Sequence, residues 1–522
     1  MADVPMVNVP MADVPMIEHR KADRRLALRL AGFAAFLFAL YLVFGFVVPQ
    51  TPGRLGRPSA ALIGELELWR WATELGLPVP RSGVGVAVLV VGLAGLAFAS
   101  YGVALRTCWK RSGTAGLAVA MAAAIAFAVV SIGYLPNLSS DIFNYIMRGR
   151  MVAVHGENPY YVAVDRFPDD PLYPYTSPEY RHAPGEKLPA WMLVNVVLAR
   201  LGGDDPVRAL LTYRTAFMLF HVGSLVLIAA LLKRTSPQLQ LAGVIAYGWN
   251  PIVALHAQNK TDTVMVFFLL AAVQFLAVER RRIALVPLVL SAFVKLITLP
   301  LVAIALLGHL RARRWRTLLL DAVVVLGTAG AIYLPFARDA GLVVRQLGLE
   351  DIRAAGSGAA HVTAGAGQVS SRFVPHLGLV PLLLWFGLVL WVGLARETTW
   401  IPRLRRWAIV TFLLVVLFSK LEFSWYLMTP LALASLAGSG PLTAMVVFVC
   451  SSSFLFNVWQ SAAASGFELP HVLVDVPRAA VHLGFAAAAA LLVLAIVLVP
   501  GRRRRWAARG GHGPASTSSY RS

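Results

Sequence analysis

Charge, acidic residues and cysteine are all scarce in this chain. Only 14% of its 522 residues are charged, and 26 acidic side chains accompany 47 basic ones. The two cysteines, Cys108 in a short basic loop and Cys450 inside an apolar run, offer no disulfide framework, which argues against redox chemistry. No tight spacing of acids or histidines indicates a metal site, so the sequence requires no cofactor. A divalent metal at Asp169 and Asp170 stays open, although FPDDP is first of all typical of a solvated turn.

Apolar residues, in contrast, make up 58% of the chain, and its mean hydropathy is +0.68. A membrane core about 30 Å thick needs roughly 20 apolar residues per helix, and runs of that length recur from Leu26 to Pro500. The runs lack the alternating pattern of membrane β-strands, and backbone groups in lipid must be hydrogen-bonded within the protein. The sequence therefore predicts an all-α, polytopic transmembrane helix bundle.

Basic residues are concentrated in short clusters at the ends of the apolar runs, and they produce the net charge of +21. Such clusters mark the cytoplasmic side of membrane proteins, so we interpret them as topology determinants and do not infer nucleic-acid binding. The first run is long and no convincing cleavage site follows it, so we expect a retained helix and no signal peptide. The pattern predicts about 12–14 membrane segments with both termini in the cytoplasm.

The predicted chain consists of a cytoplasmic N-terminal tail (1–25), a membrane bundle (26–500) and a basic, disordered cytoplasmic tail (501–522). The run 188–201 is short, so we expect a partly inserted or interfacial helix there. The expected runs are 26–48, 83–105, 114–135, 188–201, 209–232, 238–256, 262–278, 283–310, 317–336, 375–395, 407–419, 424–437, 440–459 and 478–500.

Two loops, 136–187 and 337–374, are expected on the extracytoplasmic side, with helices of their own. Residues 283–310 have basic clusters at both ends, which a single crossing cannot keep on one side of the membrane. We predict a broken hairpin instead, because Lys295 and Pro300 both disfavour a continuous membrane helix. Lys295 is either the partner of a buried acid or carbonyl or a donor to a lipid phosphate.

The stretch SSDIFNYIMRGRMVAVHGENPYY (139–161) places polar chemistry beside an apolar run. Its spacing predicts an interfacial helix that ends near Gly156. Asp141 is either the N-cap of this helix or a general base that takes a proton from an attacking hydroxyl. Arg148 and Arg150 either bind a lipid phosphate, whose oxygens match guanidinium groups, or anchor the helix at the membrane surface.

This stretch resembles the first large outer loop of GT-C fold, polyprenol-phosphate-sugar-dependent glycosyltransferases, especially the bacterial α-mannosyltransferases that build lipoglycans. The residues that carry the resemblance are Asp141, Phe143, Tyr145, Arg148, Gly149, Arg150, Gly156, Asn158, Pro159 and Tyr160. Three further stretches are similar to the same family. They are WNP with a downstream acid (249–251 and Asp262), SAFVKLITLPL (291–301) and EFSWYLMTPLAL (422–433).

The resemblance implies inverting transfer of a sugar, with mannose expected, from a polyprenyl phosphate donor to a glycan or lipoglycan acceptor of the cell envelope. The site would face the extracytoplasmic side of the plasma membrane, because nucleotide sugars are confined to the cytoplasm. Asp141 would be the general base, and basic groups would stabilise the leaving phosphate. The candidate substrate-binding residues are Tyr145, Arg148, Arg150, Asn158, Tyr160, Arg181, His182, Lys187, Lys260, Asp262, Lys420 and Glu422.

Several of these residues have a second interpretation. Arg181, His182 and Lys187 either contact the sugar or phosphate or anchor the loop at the membrane interface. Lys260 and Asp262, at the outer end of a helix pair, either line the cavity or pair with one another. An aromatic belt is the alternative to an acceptor or lipid platform around residues 420–426.

The alternative function is a transporter or a flippase for lipid-linked sugars, which the predicted hairpin around Lys295 and Pro300 suggests. Such transporters often contain matching halves, and no such repeat is detected here. A noncatalytic subunit for envelope assembly also fits the topology, but it gives no reason for the polar loop chemistry. The linkage, the acceptor and the oligomeric state are not determined by the sequence.

Overall fold

Helices form the regular structure of this protein. The computed structural model describes residues 14–50, 74–76, 79–80, 82–134, 141–185, 187–338, 342, 379–395, 400–418 and 424–463. No strand occurs within these ranges, which confirms the predicted all-α class. The α-helices are α1 (Val14–Leu42), α2 (Gly83–Cys108), α3 (Thr114–Ile132), α4 (Asp141–Ala153), α5 (Pro189–Gly202), α6 (Pro206–Thr235), α7 (Gln240–Gly248), α8 (Pro251–His256), α9 (Asp262–Ala277), α10 (Arg281–Val294), α11 (Leu299–Arg311), α12 (Trp315–Tyr333), α13 (Leu379–Leu394), α14 (Trp400–Phe418), α15 (Met428–Leu436) and α16 (Gly440–Ala463).

Five of the described helices are long and apolar enough to cross a membrane, which confirms a polytopic helical bundle. A sixth candidate span is bent by 106° between Pro251–Asn259 and Asp262–Ala277. Shorter apolar helices occur as well, and one of them is α5 in the short run 188–201. The candidate long spans are Arg20–Val47, Val88–Cys108, Thr114–Ile132, Pro206–Thr235 and Trp315–Tyr333.

The predicted run 238–256 is divided into two short helices, α7 and α8. The division lies at Asn250, whose side chain accepts a hydrogen bond from the backbone N–H of Ile252 (3.0 Å) and so caps α8. Pro251 then occupies the first helical position, where it needs no hydrogen-bond partner for a backbone N–H. The hydroxyl groups of Tyr101 and Tyr41 donate to the carbonyls of Ala246 (2.7 Å) and Trp249 (3.0 Å), which stabilises the break.

The broken hairpin predicted for residues 283–310 is present. Helix α10 ends at Val294, Lys295 is extended, and α11 follows at Leu299 after one 3-10 turn. The start of α10 and the end of α11 lie close together. A Cβ placed on Gly308 would be 3.9 Å from a guanidinium nitrogen of Arg281. Chain direction therefore reverses at Lys295, as the basic clusters on both sides require.

Some sequence predictions concern residues outside the described ranges. These are the C-terminal run 478–500, the tail 501–522, most of the loop 337–374, and Lys420 and Glu422. Helix α1 begins at Val14, so part of the predicted N-terminal tail is helical. The assignment of the two tails to the cytoplasm stays a prediction.

Candidate active site

Helix α4 carries the residues on which the sequence prediction centres. Asp141 is its first residue, and the side chains of residues 142–151 are buried on every face of the helix. The predicted interfacial helix is thus enclosed by protein within the described structure, since the loop that follows it folds back over its polar face. The Asp141 carboxylate lies at the helix N-terminus, where the helix dipole favours a negative charge.

Gly149 allows α4 to pack directly against α5 and α6. A Cβ at this position would lie 2.8 Å from both the carbonyl oxygen of Asn195 and the hydroxyl of Tyr213, which is closer than side chains tolerate. The Asn195 amide donates to the carbonyl of Tyr145 (2.9 Å) and its oxygen accepts from the hydroxyl of Tyr213 (2.6 Å). The central glycine of the Arg-Gly-Arg motif therefore fixes the position of α4, and with it the position of Asp141.

Two lysine–aspartate pairs meet beside the start of α4. Lys260, in the turn before α9, donates to Asp141 at 2.8 Å, and Lys295, at the hairpin break, donates to both oxygens of Asp262 at 3.0 Å. We call Asp141, Lys260, Asp262 and Lys295 the lysine–aspartate cluster. Lys260 and Asp262 therefore pair with other residues and not with one another, while Lys295 has the acidic partner that one interpretation of the sequence expects.

Aromatic rings border both lysines of the cluster. The Nζ atom of Lys260 lies 3.5 Å from the ring centroid of Trp425, and that of Lys295 lies 3.4 Å from the centroid of Tyr426. Both distances are within the range of a cation–π interaction, which strengthens where water is excluded. The 3-10 turn Ser424–Leu427 thus supplies one wall of the site.

One side of the cluster is open to solvent and the other is closed. The side chains of Asp141 and Lys295 are 19% and 23% exposed, whereas those of Lys260 and Asp262 are 1% and 2% exposed. The charge of Lys187 also acts on Asp141 and Lys260. With Lys187 added to the cluster, three lysines accompany two aspartates among the described residues, and this excess positive charge suits an anionic ligand.

Asp141 is held in its ionised form. Burial by itself would raise its pKa, but the charges of Lys260 and Lys187 and hydrogen bonds from Lys260 and Tyr180 hold the pKa well below its ordinary value. The hydroxyl of Tyr180 lies 2.7 Å from one carboxylate oxygen and that of Tyr145 lies 3.4 Å from the other. The carboxylate is therefore available as a proton acceptor at neutral pH, although its partners reduce its basicity.

The two arginines of α4 hold the loop that follows the helix. Arg148 is buried and donates to Asn144 (2.8 Å) and to the carbonyls of Tyr180 (3.0 Å) and Ala183 (2.9 Å), which positions Tyr180 over Asp141. Arg150 is buried as well and lies outside the lysine–aspartate cluster. Its guanidinium group contacts Asp170 (3.0 Å), Asp204 (2.8 Å) and the carbonyl of Gly203 (2.6 Å).

Four other predicted residues form hydrogen bonds or ring contacts within or beside the same loop. Asn158 donates to the carbonyl of Phe336 (2.6 Å), and the ring of Tyr160 packs edge-on against the ring of Phe336. Arg181 donates to the carbonyl of Thr176 (2.8 Å). His182 contacts Asp165 (3.1 Å) at the surface. These contacts stabilise the loop, and none of them involves a member of the lysine–aspartate cluster.

Arg214 was missed by the sequence analysis and connects two parts of the site. It is fully buried in α6, donates to the carbonyls of Ile132 and Tyr134 at the end of α3, and contacts the amide oxygen of Asn259 at 3.2 Å. The first contact fixes the chain ahead of Asp141, and the second fixes the turn that presents Lys260. An arginine within the apolar run 209–232 was the signal that points to such a role.

Replacement of Arg214 by methionine is expected to lower the free energy of unfolding by about 3 kcal/mol, because buried oxygen acceptors lose their donor. Denaturant unfolding of the purified protein in micelles measures the effect. Arg208→Met is the matched control, since Arg208 is on the same helix but exposed, and it should change stability little. Equal stability of the two variants would contradict the structural role assigned to Arg214.

The described residues contain no group of three or more histidine, cysteine, aspartate or glutamate side chains that could hold a metal ion. Asp170, one of the two acids considered for a metal, is buried and contacts Arg150 and His155. The two carboxylates of the cluster, Asp141 and Asp262, each accept from a lysine.

These observations define the class of protein: a helical membrane bundle whose candidate site combines carboxylates with an excess of lysines. Residues 56–313 match the family model described as alpha-(1->6)-mannopyranosyltransferase, N-terminal domain. This part of the chain, just under half of it, is similar to that mannosyltransferase family, and the match supports the resemblance found in the sequence. No curated protein and no solved structure matches the chain. The family match includes Asp141, Lys260, Asp262 and Lys295.

Proposed function

We propose that this protein is a mannosyltransferase that transfers mannose from a polyprenyl phosphate donor to a glycan or lipoglycan acceptor, with inversion at the anomeric carbon. The observation that carries the proposal is the lysine–aspartate cluster, in which a partly exposed carboxylate lies beside lysines that suit a phosphate. The match of residues 56–313 to a mannosyltransferase family model supports the choice of sugar. The surrounding apolar helices support a donor whose long chain is dissolved in the membrane.

In the proposed reaction the acceptor hydroxyl oxygen forms a bond to the anomeric carbon of mannose. The bond between that carbon and the phosphate oxygen breaks, and its electron pair leaves with polyprenyl phosphate. Asp141 accepts the hydroxyl proton, and Lys260, Lys295 and Lys187 stabilise the charge that develops on the leaving phosphate. In this assignment the carboxylate accepts a proton and the ammonium groups bind an anion, as these groups ordinarily do.

The pairing of Lys260 with Asp141 gives donor binding a second role. A donor phosphate that approaches the cluster competes with Asp141 for the Lys260 ammonium group, since both are anions. As Lys260 moves its hydrogen bond to the phosphate, the Asp141 carboxylate loses a partner and becomes a stronger base. Asp262 keeps Lys295 in place during this exchange, because both of its oxygens accept from that side chain.

The distribution of basic residues supports an extracytoplasmic site. Helix α10 begins at Arg281 and ends next to Lys295, so the cluster and the basic end of the hairpin are roughly 20 Å apart. Arg311, Arg314 and Arg403 gather with Arg281 at the basic end. If basic ends face the cytoplasm, the cluster faces the opposite side.

The experiment that tests the function is a transfer assay with the purified protein in liposomes. Polyprenyl phosphate mannose, polyprenyl phosphate glucose and a nucleotide-linked mannose are supplied separately in radiolabelled form with a mannan acceptor. We expect transfer from polyprenyl phosphate mannose at a rate at least about 100-fold higher than from either of the others, because both the phosphate and the sugar are recognised. The anomeric configuration of the product determines whether transfer inverts.

Efficient transfer from the nucleotide sugar would contradict a lipid-linked donor. Movement of labelled polyprenyl phosphate mannose across the bilayer without any transfer would favour the flippase instead. Protein carrying Asp141→Asn serves as the control for label that is transferred without the proposed base.

A further inference from the structure

A second charged cavity lies at the other end of the bundle, away from the lysine–aspartate cluster. It has a volume of about 480 Å³, which is within the usual range for small-molecule sites. Four arginines line it and define what we call the arginine pocket. They are Arg281 at the start of α10, Arg311 at the end of α11, Arg314 before α12, and Arg403 near the start of α14.

Among the residues that the structure describes, positive charge exceeds negative charge around the arginine pocket. Asp321 is a carboxylate that acts on Arg281, but it is buried against His309 (2.8 Å) and also pairs with Arg282 (3.5 Å). The four arginines of the pocket therefore share little compensating charge from Asp321. The four arginines line one cavity, and the guanidinium group of Arg311 also donates to the carbonyl of Leu394. Guanidinium groups donate the planar, paired hydrogen bonds that phosphate oxygens accept.

Below the arginines the wall of the same cavity is apolar. It is formed by side chains from α10, α11, α13 and α14, which are Leu285, Leu288, Ile304, Val392 and Trp407. A small free anion would make no use of this wall. A hydrocarbon chain would cover it, and its polar head would then lie among the guanidinium groups.

We propose that the arginine pocket binds the phosphate group of an anionic phospholipid, with the first part of an acyl chain against the apolar wall. Basic pockets between membrane helices are known to hold such headgroups. The position fits this ligand, because the pocket joins the basic end of the hairpin to α13 and α14, where anionic lipid of the adjacent leaflet is within reach. The bound lipid would connect these helices and offset the repulsion among the arginines.

The test measures lipid binding to the full chain in phosphatidylcholine nanodiscs that contain increasing amounts of phosphatidylglycerol. Native mass spectrometry of the released protein counts the retained lipid. The double substitution Arg281→Gln and Arg403→Gln is expected to weaken retention of phosphatidylglycerol at least about 10-fold, because charge-assisted hydrogen bonds to phosphate are lost. The matched control is Arg280→Gln with Arg316→Gln, which removes the same charge from exposed positions outside the pocket.

A second variant, Ala305→Trp, fills the apolar part of the pocket and leaves all four arginines in place. It should weaken phosphatidylglycerol retention by a similar factor if an acyl chain occupies that part. Thermal unfolding of each variant in phosphatidylcholine alone establishes that it is folded.

Three results would overturn the proposal. They are equal loss of binding in the pocket and control variants, unchanged binding in Ala305→Trp, and displacement of the lipid by soluble glycerol phosphate at equal concentration. The first would show a general effect of charge, and the last would show that a free phosphate ester is the ligand. Retained mannose transfer in a pocket variant that no longer binds phosphatidylglycerol would separate this site from the proposed function.

Discussion

Asp141→Asn is expected to lower the rate of mannose transfer about 1,000-fold, because a positioned general base contributes on this scale and an amide accepts no proton. The substitution keeps the size of the side chain and its contact with Tyr180, so it removes mainly the negative charge. Protein should still accumulate in the membrane. The measurement is the initial rate of transfer from polyprenyl phosphate mannose in liposomes, at equal amounts of protein.

The control for this prediction is Asp169→Asn, which neutralises an exposed acid in the same loop region and should leave the rate nearly unchanged. Asp141→Glu adds a third comparison, because it retains the carboxylate but displaces it. We expect a partial loss of rate in that variant. A transfer rate for Asp141→Asn within a few-fold of the wild-type rate would remove Asp141 from the reaction.

Lys260→Gln is expected to lower kcat about 100-fold and to move the acidic limb of the pH profile of kcat/KM to higher pH. The lower kcat follows from the loss of a cation beside the leaving phosphate. The pH effect follows from the pKa of Asp141. Burial would raise this pKa, but Lys260, Lys187 and Tyr180 lower it by more. Without Lys260 that pKa rises, so the carboxylate becomes protonated, and the rate falls, at a higher pH than in the wild type.

The pH profile of kcat/KM for the two proteins reports ionisation in the free enzyme, where Lys260 is bound to Asp141, and checks the shift of the acidic limb. The kcat values are measured separately with saturating donor. Lys260→Arg retains the charge and should keep the acidic limb closer to that of the wild type. Lys233→Gln removes an exposed lysine at the C-terminal end of α6 and should change neither the limb nor the rate. If the profiles of Lys260→Gln and the wild type coincide, Lys260 does not control the ionisation of Asp141.

The outline of the fold is readable from the sequence because it depends on local patterns. Apolar runs of membrane length require helices, and paired basic clusters around residues 283–310 require the hairpin that the structure contains. The break inside the run 238–256 was missed, although Asn250 and Pro251 are the residues that cap and begin a helix. The resemblance marked these residues, but the pattern of hydrophobicity concealed their structural effect.

Only part of the candidate site could be predicted from the sequence. Asp141, Lys260, Asp262 and Lys187 were selected, and they lie together in the structure. Arg150 was selected as well, but its guanidinium group is held by Asp170 and Asp204.

Tyr180 and Arg214 were not selected, because their importance depends on partners far away in the chain. Arg214 contacts Tyr134 and Asn259, which precede it by 80 residues and follow it by 45. Such contacts have no signature within a short window of sequence.

By itself the sequence determined that the chain is helical, that it is built for a membrane, and that residues 283–310 form a broken hairpin. Each of these follows from the cost of leaving backbone groups or charges in hydrocarbon, which acts on every segment separately. The tertiary structure alone decided that Lys260 pairs with Asp141 across 119 positions, and that Arg148 supports Tyr180. A charged side chain can be neutralised by many partners, and only the packing of the helices determines which of them is within reach.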